Sequence, residues 1–291
     1  MTRLIALPAL LLALFVSALL GVWTLLPFGG DMLAVSVESD DDKHLYLIDD
    51  NGLQHRLIEE RSADPVWSAD GERLAFATVP GGARDFYHIA VMDVEGGDLH
   101  IYQPGTAPAW SPDDDYIAYA RYDAGYNIHL MHSDGTAPRR LTRPGIDGRN
   151  PQWLPSSGAL SFTQIIPGEG RYEFRLMTQP LDGGEPHPLL NLSQSRDVTF
   201  SPDEARMAYS NTLGMPLTIF IADADGGNPR QLIDAGGLHI EPAWSSDGEH
   251  IAFVSTMDDG QWDLYVIDAD GRNLRRLTND DAVESSPAWR P

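Results

Sequence analysis

The 291-residue sequence contains no cysteine. That excludes disulfides, thiol nucleophiles, iron–sulfur clusters and thiolate zinc sites together. It suits an extracytoplasmic bacterial protein. Positive charge is also scarce: 20 Lys and Arg stand against 43 Asp and Glu, a net charge of −23. An acidic surface repels phosphate backbones, so nucleic acid is not an expected partner. No Gly-x-Ser-x-Gly elbow, phosphate-cradling glycine loop or dinucleotide fingerprint occurs. None of the nine His forms a His-x-x-x-His pair on a helix.

Charge is wholly missing from Leu4 to Phe28, a run of 25 residues. About 20 apolar residues suffice to cross the hydrocarbon core as a helix. Arg3 lies before the run, and Asp31, Glu38 and Asp40 to Asp42 lie after it. That bias predicts a cytoplasmic N-terminus and an extracytoplasmic remainder. Residues 1–30 therefore read as a signal-anchor or transmembrane helix. The rival is a cleaved signal peptide, with Val16-Ser17-Ala18 as its cleavage site, although the apolar run continues past it.

What fills the rest of the chain is a repeat. Pro242-Ala243-Trp244-Ser245-Ser246-Asp247-Gly248 leads to Ile251-Ala252-Phe253, and copies surround Trp67 and Trp110. Weaker copies surround Trp153 and Phe200, and a truncated one closes the chain at Trp289. These anchors lie 43, 43, 47, 44 and 45 residues apart, a period typical of propellers and solenoids. Each unit divides into four short strands, here A to D, with Ser-x-Asp-Gly-type and Asp-x-Asp-Gly turns after A and C. The middle residue of the B-strand triplet is small (Ala75, Ala118, Ser161, Ala208, Ala252), leaving room for a Trp from the facing blade. The Trp anchors thus read as inter-blade core.

The first unit lacks an A strand, and the last A strand, Val283 to Trp289, has no B strand after it. The two termini complete one blade between them. The expected fold over residues 31–291 is all-β: a six-bladed β-propeller of four-stranded antiparallel blades, closed by N- and C-terminal strands that share one blade. One N-terminal hydrophobic helix precedes it.

In such a blade the A–B and C–D turns share one face, and the B–C and D–A loops share the other. The turns repeat; the loops do not. Asp64, Arg149, Asn150, Arg196, Asp197, His239 and Glu241 are assigned to D–A loops at the channel mouth. Arg84, Tyr87, Arg121, Tyr126, Arg171, Tyr172 and Trp262 are assigned to the B–C rim. Unrepeated loops rich in Arg and aromatics are where recognition tends to sit, although the same side chains can simply cover loop backbone. Asp64, Asn150, Asp197 and Glu241 share one register, three residues before each anchor. The turns Asp223-Ala224-Asp225-Gly226 and Asp268-Ala269-Asp270-Gly271 have too few ligands for a calcium loop and read as turns.

Pro-Ala-Trp-Ser-x-Asp-Gly with Ile-Ala-Phe, Leu264-Tyr265-Val266-Ile267-Asp268 and Arg275-Arg276-Leu277-Thr278 resembles the TolB-type propeller repeat. It is also similar to the propeller domains of prolyl oligopeptidase-type enzymes. The resemblance covers about residues 31–291. It implies the propeller fold and says little of function. Neither the α/β domain that accompanies the propeller in TolB nor a hydrolase domain is expected. The preferred reading is a membrane-anchored, extracytoplasmic scaffold that binds a protein or peptide through its channel-mouth loops, without cofactor or metal. The alternative is a channel-centred small-ligand or glycan binder, or an enzyme of lyase or hydrolase type, with a metal at His239, Glu241 and Asp197.

Overall fold

A computed structural model describes residues 32–39, 42–49, 52–58, 60–82, 86–94, 97–154, 158–168, 172–190, 195–211 and 217–291. The expected N-terminal helix lies outside these residues, as do Arg84 and Arg171. Among the described residues no helix is long and apolar enough to cross a membrane.

Each run of alternating or β-branched residues between two turns becomes a strand, and four antiparallel strands make each blade. Blade 1 joins both ends of the described chain: β1 (Met32–Ser39), β2 (Asp42–Asp49) and β3 (Gln54–Arg56) are completed by β24 (Val283–Trp289), in the order β24-β1-β2-β3. Blade 2 holds β4 (Ser62–Trp67), β5 (Arg73–Thr78), β6 (His88–Asp93) and β7 (Leu99–Pro104). Blade 3 holds β8 (Thr106–Trp110), β9 (Tyr116–Tyr122), β10 (Tyr126–His132) and β11 (Arg139–Arg140). Blade 4 holds β12 (Gly148–Leu154), β13 (Ala159–Pro167), β14 (Tyr172–Gln179) and β15 (His187–Leu190). Blade 5 holds β16 (Ser195–Phe200), β17 (Arg206–Asn211), β18 (Thr218–Asp223) and β19 (Arg230–Gln231). Blade 6 holds β20 (His239–Trp244), β21 (His250–Ser255), β22 (Asp263–Asp268) and β23 (Arg275–Arg276). The six blades and the shared first blade are those the repeat predicts.

The small B-strand residues do what their size allows. Trp244 packs in one cluster with Ala208 of the preceding blade. Trp289 does so with Ala252, Trp110 with Ala75, and Trp153 with Ala118. A buried Trp removes about 150–250 Å² from water, an upper bound of about 4–6 kcal/mol per wedge. Arg73, Arg206 and Arg290 lie over the rings of Trp110, Trp244 and Trp67 at 4.6, 4.8 and 5.3 Å. The wedges therefore carry a cation–π lid as well as an aliphatic floor.

The A–B turns are built around one hydroxyl. Ser245 Oγ donates to Asp247 Oδ1 at 2.5 Å and accepts the His250 N–H at 2.9 Å. Asp247 Oδ1 also accepts the Glu249 N–H at 2.8 Å. The same Ser–Asp pair closes the turns at Ser68–Asp70, Ser111–Asp113 and Ser201–Asp203. Each hydroxyl holds its aspartate below the usual carboxylate range, with backbone N–H groups adding to the effect. The Asp-x-Asp-Gly carboxylates are likewise used locally: Asp223 and Asp268 accept from Asn228 and Asn273 at 2.7 Å.

Candidate functional site

The innermost strand of every blade is broken at the same place. The ladder between the first two strands slips at Ala63/Val66, Thr106/Ala109, Arg149/Gln152, Arg196/Thr199, Ile240/Ala243 and, in blade 1, Ala34/Ser36. Such a slip is a β-bulge, which re-aims a side chain. The bulged residue lies three positions before the anchor: Asp64, Ala107, Asn150, Asp197, Glu241 and Ser286. All six adopt left-handed backbone, with φ between 48° and 55°. Only Asp and Asn enter that region at small cost among these types; the others store on the order of 1–3 kcal/mol each. Proline follows five of the six, and it has no N–H for the ladder to satisfy.

The bulges form a ring. Asp64 Oδ2 accepts the Ala107 N–H at 3.1 Å, and Glu241 Oε2 accepts the Ser286 N–H at 2.6 Å. The carboxylate of Asp197 accepts the Glu241 N–H. Each carboxylate thus holds the bulge of the next blade. Ser286 Oγ donates to Asp64 Oδ1 at 3.3 Å, carrying the belt across the join between the two ends of the chain. Gln152 Nε2 reaches the Val198 carbonyl at 2.5 Å, linking blades 4 and 5.

Above the ring lies a cavity of about 570 Å³. All six blades line it, five from the ring residue to the Trp anchor and blade 5 from Asp197 to Thr199, with Ala69, Ser111 and Pro112 of the A–B turns at its edge. Among the described residues, the charged ones that line it are Asp64, Asp197 and Glu241. Enclosure by the six blades pushes the Glu241 carboxyl up to about 7. The Ser286 N–H opposes that shift, while Asp197 and Asp64 reinforce it. Burial raises Asp197 too, against the pull of Arg196 and two hydrogen bonds. The side chain of Asp197 keeps 20% of its surface exposed, so its desolvation comes from the enclosing blades rather than from contact alone.

The assignment of Asp64, Arg149, Asn150, Arg196, Asp197, His239 and Glu241 to loops needs correction. All seven lie within inner strands. Asp64, Asn150, Asp197 and Glu241 come together on the cavity wall, as their shared register suggested. Arg149, Arg196 and His239 precede the bulge and are not on that wall. Arg149 pairs with Asp147 at 3.2 Å and lies 4.2 Å over the Tyr126 ring. Arg196 Nε stands 3.5 Å from Asp197.

His239 is fully buried. Its Nε2–H donates to the Ala235 carbonyl at 3.3 Å, and its Nδ1 accepts from Ser255 Oγ at 2.8 Å. Burial lowers its pKa, so the ring stays neutral. Ser62–Thr78 and Ser195–Asn211 make the equivalent buried rung in blades 2 and 5. With both nitrogens engaged, His239 cannot ligate the metal of the alternative reading. Among the described residues no group of three acidic, His or Cys side chains is arranged to hold a metal ion.

The rim lies at the other end of the blades. Arg121 and Tyr126 belong to β9 and β10, at their loop ends. Tyr126 meets Tyr122 edge-on at 5.4 Å. Tyr87 lies beneath Arg61 at 5.9 Å, and Trp262 is half-buried with its carbonyl accepting the Glu284 N–H. Tyr172 is 63% exposed; Phe86 and Tyr122, at 71% and 68%, are exposed beside these residues. Sequence reasoning missed Ala107 and Ser286 as ring members. The same offset from Trp110 and Trp289 would have found them.

Residues 164–291 match the family model described as "TolB beta propeller domain". Over 108 residues the chain is 29% identical to the Tol-Pal system protein TolB of Desulfosudis oleivorans, covering 36% of this chain and 25% of that protein. Over 206 residues it is 26% identical to the uncharacterized peptidase YuxL of Bacillus subtilis, covering 67% and 30%. The chain therefore spans less than a third of either relative. The crystal structure of TolB from Acinetobacter baumannii superposes with a TM-score of 0.77 at 20% identity, over 95% of this chain and 70% of that one. Repeat, blade order and these likenesses agree: the chain carries a TolB-type six-bladed β-propeller.

Proposed function

We infer that this propeller is a protein-binding scaffold, and that a segment of its partner enters the central cavity. The supporting observation is the contrast within that cavity. Its walls are the repeated Pro-Ala-Trp scaffold, whereas the ring at its inner end changes from blade to blade: Asp64, Ala107, Asn150, Asp197, Glu241, Ser286. Side chains that the scaffold does not dictate, gathered in one concavity, are a recognition surface. The relative from Desulfosudis oleivorans, a Tol-Pal system protein, supplies the analogy for a protein partner. The charge-free run from Leu4 to Phe28 supports a membrane-held, extracytoplasmic location. A photo-crosslinking residue at Asn150 of the full chain, in cells, tests the reading. A discrete adduct that disappears when Ala69→Trp narrows the cavity edge is expected. Adducts no different from those of a probe at exposed Asp98 would refute it.

A second reading uses the rim. Phe86, Tyr122 and Tyr172 are exposed on three consecutive blades, and large exposed apolar groups in one arc mark interaction surfaces. Loss of the partner on replacing all three by Ala, with Ala69→Trp without effect, would move the binding site to that face.

A further inference from the structure

The outermost strands of the blades are unequal. Among the described residues β11, β19 and β23 have two residues each, β3 has three and β15 four, whereas β7 of blade 2 has six. An outermost strand is a sheet edge. A long edge presents a row of backbone N–H and C=O groups to which another strand can pair, and short edges do not.

The register fixes which groups β7 presents. Met92 pairs with Leu99, Val91 with His100 and Ala90 with Ile101. The Asp93 N–H donates to the Asp98 carbonyl, while the Val94 N–H turns the other way, to the Glu72 carbonyl beside β5. Odd-numbered residues of β6 therefore face β7, and Val91 and His100 exchange the bonds of this ladder. Leu99 and Ile101, on either side of His100, direct their N–H and C=O groups away from the sheet. Pro104 has no N–H and ends the row.

The strand is also held in place. Side chains alternate across it. Tyr102 packs with Ala75, Ile89 and Trp110, and its ring lies against Gly135 of blade 3, where a Cβ would not fit. His100 stacks on the same ring, with centroids 6.2 Å apart. Leu99 and Ile101 occupy the side away from blade 3 and are 38% and 43% exposed. Unpaired backbone and exposed aliphatic side chains thus coincide at the same two residues.

Charge selects among occupants. Between Arg84 and Arg121 the sequence holds no Lys or Arg. Asp93 and Asp98, at the turn that leads into β7, are both exposed. A second copy would bring a further net charge of −23 to this acidic edge, which opposes self-pairing. We propose that β7 receives an extended strand of a partner protein. That strand runs antiparallel, the more stable pairing. Its aliphatic side chains lie beside Leu99 and Ile101, and Lys or Arg at its C-terminal end lies beside Asp93 and Asp98. Backbone bonds at Leu99 and Ile101 hold the strand, and the aliphatic and basic side chains select it. None of Leu99 to Pro104 lines the central cavity, so this surface is separate from it.

Hydrogen–deuterium exchange on the full chain in lipid nanodiscs, resolved to single residues, tests this. The probe is acetyl-Thr-Val-Thr-Val-Thr-Lys-Lys-amide. One control replaces both Lys by Glu, and another carries N-methyl groups on both Val. In the free chain the amides of Leu99 and Ile101 should exchange at least tenfold faster than that of His100. The Lys peptide at about 1 mM should slow both at least twofold and leave Arg230 and Gln231 of β19 unchanged. The two controls should slow neither. Ile101→Pro removes an N–H that β6 does not use, and should abolish the slowing at Leu99. No slowing by the Lys peptide, equal slowing by either control, or equal slowing at β19 refutes the proposal on unaltered protein. Slowing at Leu99 and Ile101 that grows with protein concentration alone would identify a second copy as the occupant and overturn it too.

Discussion

The indole N–H of Trp67 donates to the carbonyl of Ala288 at 3.1 Å, across 221 residues of chain. Arg290 lies over the same ring at 5.3 Å, and its Nε donates to the Gly71 carbonyl at 2.9 Å. Blade 2 is thereby fastened to the last strand of the chain. Trp67→Ala should cost about 3–5 kcal/mol, as for other buried aromatic truncations. Trp67→Phe keeps most of the apolar wedge and should cost less. Chemical denaturation followed by near-ultraviolet circular dichroism measures both.

Glu284, on β24 at the same closure, is 1% exposed. Burial, with Asp280 and Asp263 adding, pushes its carboxyl up to about 8. The folded protein therefore binds a proton that the unfolded chain has released above about pH 4.5. Stability should fall as pH rises from about 4.5 to 8, by at most about 1.4 kcal/mol per pH unit, and level off above. Glu241, at about 7, contributes with the same sign below that pH. Glu284→Gln should remove its share of the slope. Denaturation midpoints from pH 5 to pH 9 give the comparison, and parallel curves for the two proteins would show that Glu284 is ionised when folded.

The turn aspartates behave oppositely. Asp247 is held below the usual carboxylate range chiefly by Ser245. Its contribution is full above the ordinary carboxylate pKa and disappears as pH falls through the lowered value. Ser245→Ala should raise the Asp247 pKa and cost about 0.5–1.5 kcal/mol at neutral pH. Carboxyl carbon shifts in an NMR titration read the first effect, and thermal unfolding the second.

Ala107 occupies a left-handed position without a side chain suited to it, at φ 48°. Ala107→Gly should be neutral or stabilising by up to about 1 kcal/mol. Ala107→Val should destabilise by more than 1 kcal/mol, because β-branching opposes positive φ. Urea unfolding of the two variants discriminates the signs.

The blades were legible because each rests on short-range rules. The period of the anchors, the Ser-x-Asp turns and the alanines beneath Trp110, Trp153, Trp244 and Trp289 depend on neighbours in one repeat or the next. The half-blades at the two ends of the described chain were legible as complements. The bulge was not, since a slip of register arises only when two strands pair; the proline after the ring residue is its one trace. His239 misled for a related reason. A histidine two residues from Glu241 reads as a ligand, and only the pairing with Ser255, 16 residues on, turns it into an internal rung.

Six bulges repeat, but their side chains do not. Carboxylates stand in blades 2, 5 and 6, and neutral groups in blades 1, 3 and 4. The scaffold has near-sixfold rotational sameness, whereas the ring has none. An occupant of the channel is consequently keyed in azimuth as well as depth: it has one preferred rotational setting about the propeller axis. Exchanging two ring residues between blades would rotate that setting without disturbing a single wedge or turn.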